Sequence, residues 1–314
     1  MSEIRFDFNN MFEFSVGKIH GVKESEVKAM SLKAKKAYAH LKKAAANPVN
    51  RKVLSLEWMQ LPFQGGNSIA EIQALGKEIA STYENVISLG IGGSYLGIKA
   101  AQDALCPPYF NEFKEMRAGC PRIYFEGNNL DPDTLDTLLK NLDPHKTAVI
   151  VISKSGETTE TKAAFMVVEE WLKKSVGENY GRQIIAITDP TSGSLRKKVD
   201  EAQAKDPLSF RSLLLLKGVG GRYSELNMGL LHLAIVGIDI TQVLAGAASM
   251  AQECSSSVLR KNPALFYAVL HTILYQKKNK PIGILMPFAE TLKSTADWYV
   301  QLLAESLGKK YARK

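Results

Sequence analysis

Four short apolar runs set the rhythm of this chain, and each breaks into glycines or small polar residues. They are NVISLGIGG from Asn85, PRIYFEGNN from Pro121, TAVIVISKSG from Thr147 and QIIAITDPTSGS from Gln183. Each run is too short and too continuously apolar for an amphipathic helix, and it predicts a strand buried on both faces. Between the runs lie helix-length stretches with apolar residues three and four apart, such as ETKAAFMVVEEWLKKS and SLRKKVDEAQAK. Strand, turn and helix in alternation predict parallel βαβ units, that is, an α/β fold with a doubly wound parallel sheet.

The flanks are patterned differently. Residues 1 to about 80 carry helical periodicity, ending near AEIQALGKEIAST, and 224–276 is again mostly helical. PIGILMP (281–287) then predicts another strand. A helix follows over TLKSTADWYVQLLAESLG, with Leu292, Ala296, Tyr299, Leu303 and Leu307 at helical spacing and Gly308 fit to end it. This is the start of a second α/β unit that stops after one strand and one helix, too little to close a core. The expected division is a helical segment over 1–50, a first α/β domain over 51–215, and a helical connection with an incomplete second domain over 216–314.

Composition adds exclusions more than identity. The chain has 314 residues, 45% hydrophobic and 23% charged, with a net charge of +8. Much of the positive charge lies in Lys18–Lys52, where KAKKAYAHLKKAAA alternates lysine with alanine as a solvated helix does. No basic patch interleaved with aromatics occurs, so nucleic acid is not the expected partner. Cys106, Cys120 and Cys254 are far apart without metal-ligand spacing and read as free thiols in a reducing compartment. The N-terminus MSEIRFDFNN is polar and of mixed charge, unlike a signal peptide, and no apolar run is long enough to span a bilayer. The five histidines do not cluster. A cytoplasmic protein without metal or membrane partner is expected.

Two strand ends carry candidate chemistry. SLGIGGSYLG (88–97) follows a strand and opens a helix, but Tyr95 stands where a dinucleotide fingerprint needs its third glycine. Glu126, at the end of the second strand, could stand for a ribose-binding acid, though without the fingerprint that means little. No Gly-Lys-Ser/Thr of a Walker loop occurs here or in SKSGETT. What survives is general: glycines let backbone N–H groups approach a ligand, and Ser94 can donate from the first helical turn. A tight turn packed for its own sake explains the same residues. VISKSGETTET (151–161) has the same placement. One Ser or Thr would cap the helix; Ser153, Ser155, Thr158 and their neighbours exceed that need, and Lys154 adds a full charge. A helix N-terminus with surplus donors suits an anion. Both loops sit at C-terminal strand ends, where open α/β sheets bind ligands, so a phosphorylated small molecule is the expected partner.

These segments in order resemble the glucose-6-phosphate isomerase family: SLGIGGSYLG, GNN (127–129), VISKSGETTET, GVGGRYS (218–224), PIGILMPF (281–288) and WYVQLLAESLGKK (298–310). The resemblance implies a sugar-isomerase fold of flavodoxin-like type, two such domains and a homodimer. It implies interconversion of glucose 6-phosphate and fructose 6-phosphate in glycolysis and gluconeogenesis, with no cofactor. Carried over residue by residue, Gly93, Ser94, Ser153, Lys154, Ser155 and Thr158 hold the sugar phosphate, Arg222 lies by the reacting carbons, Glu305 is the proton-transferring base, and Gln301 contacts substrate. The chemistry agrees. A carboxylate can carry a proton between C2 and C1 of an enediolate, and a guanidinium can stabilise the charge growing on oxygen. Gln301 and Glu305 are four apart, hence on one helix face. Without the resemblance, Asp297, Gln301 and Glu305 would be a solvated stripe with Glu305 paired to Lys309, and Arg222 a surface arginine beside a glycine turn.

Three departures qualify the match. The family's catalytic histidine and late lysine have no counterpart before Lys314, so the chain is expected to be a piece of a longer isomerase with little activity of its own. Glu157 puts an acid in the phosphate loop, which weakens binding unless its side chain turns away. RYSELNMGLL is one residue shorter than the family segment, so the helix after Arg222 is expected to start differently. A non-catalytic sugar-phosphate-binding regulator is the alternative function, and a related isomerase acting on mannose 6-phosphate is a third reading.

Overall fold

Apolar, largely β-branched residues on both sides of a backbone are stable only where both sheet faces are covered. The computed structural model, which describes residues 4–308, builds the four expected strands in that setting: β1 (Asn85–Leu89), β2 (Arg122–Glu126), β3 (Thr147–Ile152) and β4 (Ile184–Thr188). A fifth strand, β5 (Arg211–Leu214), was not legible because RSLL is short and has no fully buried residue. All pairs are parallel, in the order β2-β1-β3-β4-β5. The longer helices of this part are α1 (Asn67–Thr82), α2 (Leu96–Leu105), α3 (Pro132–Asn141), α4 (Thr159–Val176), α5 (Ser194–Gln203), α6 (Gly229–Ile235) and α7 (Lys293–Leu307).

Strand alternation assigns each face. Ala148, Ile150 and Ile152 of β3, with Ile185 and Ile187 of β4, meet Ile79 of α1, Ile98 of α2, and Leu231 and Ile235 of α6. The intervening Val149, Val151, Ile184 and Ala186 meet Leu135 of α3, Val168 and Leu172 of α4, and Val199 of α5. The doubly wound sheet is therefore as expected. The free edge of β2 is covered by one side chain: the Asn111 amide donates to the Ile123 carbonyl at 2.7 Å and accepts from its N–H at 3.0 Å, as a neighbouring strand would. From β1 the chain first adds β2 on one side and then β3 on the other, so the order reverses between β1 and β3. Ligands of such sheets bind at that reversal, beyond the C-terminal strand ends.

The chain divides into two compact units, Met1–Pro62 with Ala245–Met286, and Phe63–Leu244 with Pro287–Lys314. In the first, helices Glu24–Ala46 and Pro263–Lys278 bury Val27 and Ala34 with Phe266, Val269, Leu270 and Ile273. The Arg260 guanidinium lies 4.9 Å from the Phe266 ring centre and is paired with Glu24 at 2.6 Å. Among the described residues no helix is long and apolar enough to cross a membrane.

One expectation for the C-terminal region needs correction. Residues 281–287 are not a strand: they have no β partner among the described residues, and Ile282 and Phe288 are 80% and 97% exposed. An apolar run becomes a strand only where a neighbour takes its backbone hydrogen bonds. Helix α7 forms as expected, and the Gly308 N–H closes it onto the Ala304 carbonyl at 2.8 Å. Along its apolar stripe Ala296 and Tyr299 are half-buried, while Leu292, Leu303 and Leu307 are exposed.

One core contact has a pH signature. His232 of α6 is fully buried against the sheet, its Nε2 2.8 Å from the Ser88 hydroxyl and its ring stacked on Phe125. Burial lowers its pKa to about 4, with the Met228 carbonyl opposing. The unfolded imidazole protonates near pH 6.5 and the folded one does not, so stability present above that pH is lost as pH falls toward 4, by about 3 kcal/mol. His232→Gln keeps a partner for Ser88 without the titration. Chemical unfolding at about pH 7.5 and about pH 4.5 should show wild type losing about 2–3 kcal/mol more than this variant. Equal losses would remove His232 from the acid response.

Candidate functional site

The site is built on the loops after β1 and β3. After β1, Gly90–Tyr95 turns sharply: Gly92 adopts φ +56°, in the left-handed region, and the Ser94 N–H returns to the Ile91 carbonyl at 3.0 Å. The turn is glycine-rich because other backbone lies on it. A Cβ on Gly93 would sit 2.2 Å from the Gly221 carbonyl oxygen and 2.3 Å from its Cα. Gly93 and Gly221 thus bring GVGGRYS against the glycine turn, backbone to backbone, with Arg222 next in the chain.

Helix α7 completes this side. A Cβ on Gly92 would lie 3.2 Å from Gln301 Nε2, so the Gln301 amide covers the turn. Gln301 Nε2 donates to Glu305 Oε1 at 2.6 Å, as the shared helix face required. Arg222 Nη1 lies 3.4 Å from the Ser306 hydroxyl. The Trp298 indole N–H donates to the Arg222 carbonyl at 2.8 Å, and its ring meets Tyr223 edge-on at 6.4 Å. Gly93, Arg222, Gln301 and Glu305, far apart along the chain, are therefore neighbours. The partner expected for Glu305 in the solvated-stripe reading, Lys309, lies outside the described residues.

One strand over, Ser153 follows β3 almost wholly buried, and its hydroxyl accepts the Gly156 N–H at 3.0 Å. The Ser155 hydroxyl accepts the Glu157 N–H at 3.1 Å. Thr158 is the N-cap residue of α4, yet its side chain makes no capping bond. The surplus of hydroxyls is thus not spent on the cap. Lys154 is exposed, and its carbonyl accepts from the Thr188 hydroxyl at 3.3 Å. Behind this loop, a Cβ on Gly156 would meet the Leu195 nitrogen at 2.5 Å, and the Ser194 N–H reaches the Ser155 carbonyl at 2.8 Å. Asp189 anchors the buttress: the Thr191 N–H foremost, against the opposing effect of burial, brings its carboxyl down to about 2, with further help from Ser192 and Lys217.

Glu157 turns to Lys162 of α4, 2.8 Å away, and Lys162 foremost, then the Ser194 hydroxyl, holds its carboxyl below the usual range. Its charge is thereby matched by a lysine of α4. Glu157→Gln should release Lys162 and tighten fructose 6-phosphate binding by roughly two- to threefold at low salt, since exposed pairs of this kind are weak. Calorimetric titration checks it, and weaker binding would show that the carboxylate is needed to hold the loop.

Sequence reasoning missed Trp298 and Ser306, which contact Arg222. Trp298 is three residues before Gln301, a spacing that could have marked it as the anchor of the same helix face. It also missed Glu225, whose Oε2 is buried without a hydrogen-bond partner; a loop acid carries no sequence signal of burial.

The phosphoglucose isomerase family model matches residues 14–314. The chain belongs to the phosphoglucose isomerase family. It is 38% identical to a glucose-6-phosphate isomerase of Carboxydothermus hydrogenoformans over 99% of this chain and 64% of that protein, and 32% identical to one of Acetivibrio thermocellus over 98% and 66%. Among solved structures it resembles a hypothetical protein of Thermus thermophilus, with TM-score 0.72 and 30% identity over 91% of this chain and 61% of that one. A glucose-6-phosphate isomerase of Chlamydia trachomatis shares the fold, with TM-score 0.66 and 24% identity over 78% and 44%. The chain thus spans 55 to 66% of the length of the curated relatives it matches.

Proposed function

We propose that this chain binds a hexose 6-phosphate and carries the proton transfer that interconverts glucose 6-phosphate and fructose 6-phosphate. The observation that carries the reading is the meeting of Gln301 and Glu305 with the glycine turn beside Arg222. Gly93, Ser94, Ser153, Lys154, Ser155 and Thr158 take the phosphate, helped by the positive end of α4. Glu305 removes the C2 proton of the open-chain aldose, and the electron pair forms the C1–C2 double bond of an enediolate. The Arg222 guanidinium stabilises the charge on oxygen. Glu305 returns its proton to C1 while the O2 hydroxyl proton passes to O1, which leaves the ketose. Gln301 orients Glu305 and contacts substrate. Atoms and electrons balance within the sugar, so the step uses no cofactor. Membership of the family supports this substrate pair, and with it a cytoplasmic homodimer acting in glycolysis and gluconeogenesis, its first sugar-isomerase domain at 51–215 and a second beginning at 216–314.

The test is NMR of fructose 6-phosphate with the 314-residue chain in D₂O. Deuterium at C1 and labelled glucose 6-phosphate are the expected result, detectable at rates far below ordinary turnover. Appearance of mannose 6-phosphate as well would widen the substrate class. Saturable binding with no exchange would overturn the isomerase reading in favour of a sugar-phosphate sensor.

A further inference from the structure

Helix α7 carries Gln301 and Glu305, and it is seated on α2. The Ser294 hydroxyl donates to the Asp103 carboxylate, and the Trp298 indole is tied to the Arg222 carbonyl. Between these anchors lies Gly97 of α2. A Cβ there would meet the Ser224 hydroxyl, Glu225 Oε2 at 2.5 Å and Trp298 Cδ1 at 3.1 Å. The Glu225 carboxyl is therefore pressed into the seam where α7 docks, with Oε2 shut from water and without a hydrogen-bond partner. No step of the proposed chemistry uses it.

We propose that Glu225 is a positioning residue for α7, whose protonation state sets how firmly that helix, and with it Gln301 and Glu305, is seated against the glycine turn. The inference rests on the reading of Glu305 as the working carboxylate, but not on turnover. A neutral carboxyl fits the seam; a carboxylate whose Oε2 is shut from water and unpaired is costly there, and undocking α7 hydrates it. Among the charged groups on the elements packed around it, Lys293 of α7 pairs with Glu290 at 3.9 Å and Glu305 is bonded to Gln301. Lys99 and Asp103 of α2 pair with each other at 2.6 Å. Asp297 of α7 is exposed. His232 of α6 is engaged with Ser88. Arg222 and Tyr223 flank Glu225 in its own loop. Burial dominates and brings the Glu225 carboxyl up to about 7, opposed only by its own backbone N–H.

The direction follows from linkage. The carboxyl is harder to ionise with α7 docked than undocked, so docking weakens as pH rises from about 4.5 toward 7, by up to about tenfold per unit, and levels off above. Amide hydrogen exchange of residues 293–307, corrected for intrinsic rates, reads this directly. Wild-type protection should fall roughly tenfold or more between about pH 5 and 7 and then flatten, while Glu225→Gln stays level and is at least about tenfold better protected at pH 7.5. Glu225→Met, similar in shape and without a titrating group, serves if the amide variant does not fold. A flat wild-type profile, or variants that lose protection in parallel with it, would overturn the proposal. Deuterium incorporation into the sugar is measured separately, so failure of the isomerase reading leaves this result intact and distinguishable.

Discussion

Replacing Glu305 with Gln lowers deuterium incorporation at C1 of fructose 6-phosphate by roughly 10²–10⁴-fold, the usual contribution of a positioned general base. The amide is isosteric and can still meet Gln301, so the helix face and its packing persist. It cannot hold the proton between removal from C2 and delivery to C1. Binding of the phosphosugar should be within about twofold of wild type, because the proposed phosphate contacts lie in the loops after β1 and β3 rather than on α7. The separation matters: a loss of affinity equal to the loss of exchange would mean that Glu305 binds substrate and that another group moves the proton. Unchanged exchange would remove Glu305 from the chemistry altogether.

The second large effect is expected at a glycine. Gly93→Ala puts a methyl 2.2 to 2.6 Å from three backbone atoms of Gly221. Backbone cannot rotate away as a side chain can, so either the glycine turn or the 218–224 loop must move by about an ångström. A displacement of that size at a reacting centre costs roughly 10²-fold in rate, and forcing an extra methyl into a packed contact destabilises by about 1–3 kcal/mol. Exchange at C1 and the midpoint of thermal unfolding should therefore fall together. Gly246→Ala is the control: it lies in helix Ile240–Glu253 with open space where the methyl would go, and should be neutral or slightly stabilising. A Gly93→Ala protein that melts and exchanges like wild type would mean that the close approach of the two loops is dispensable.

The two variants probe different things. Glu305 was identified as a candidate because its segment resembles a known motif, and its pairing with Gln301 followed from helical spacing. Gly93 was identified in the same way, but as a donor to phosphate. Its role as the point where Arg222 is brought in depends on Gly221, far later in the chain, and nothing local to either glycine announces the other. Glu157 is a similar case. As a sequence position it was an acid spoiling an anion site, and only the fold of α4 shows its charge matched by Lys162.

What the chain determines by itself is whatever depends on neighbours in sequence. Doubly apolar runs specify β1, β3 and β4, glycines specify the turn after β1, and an i, i+4 spacing specifies that Gln301 and Glu305 share a face. Tertiary structure alone decided the rest. It denied a strand to PIGILMP, which lacks a neighbour to take its hydrogen bonds among the described residues, and granted one to RSLL, which has β4 beside it. It left Leu303 and Leu307 of α7 exposed and made Trp298 the anchor. It shut the Oε2 of Glu225 from water in a helix seam. The physical reason is the same each time: periodicity is set by bonds along the chain, whereas hydrogen-bond partners, burial and dielectric are set by whichever distant segment packs alongside.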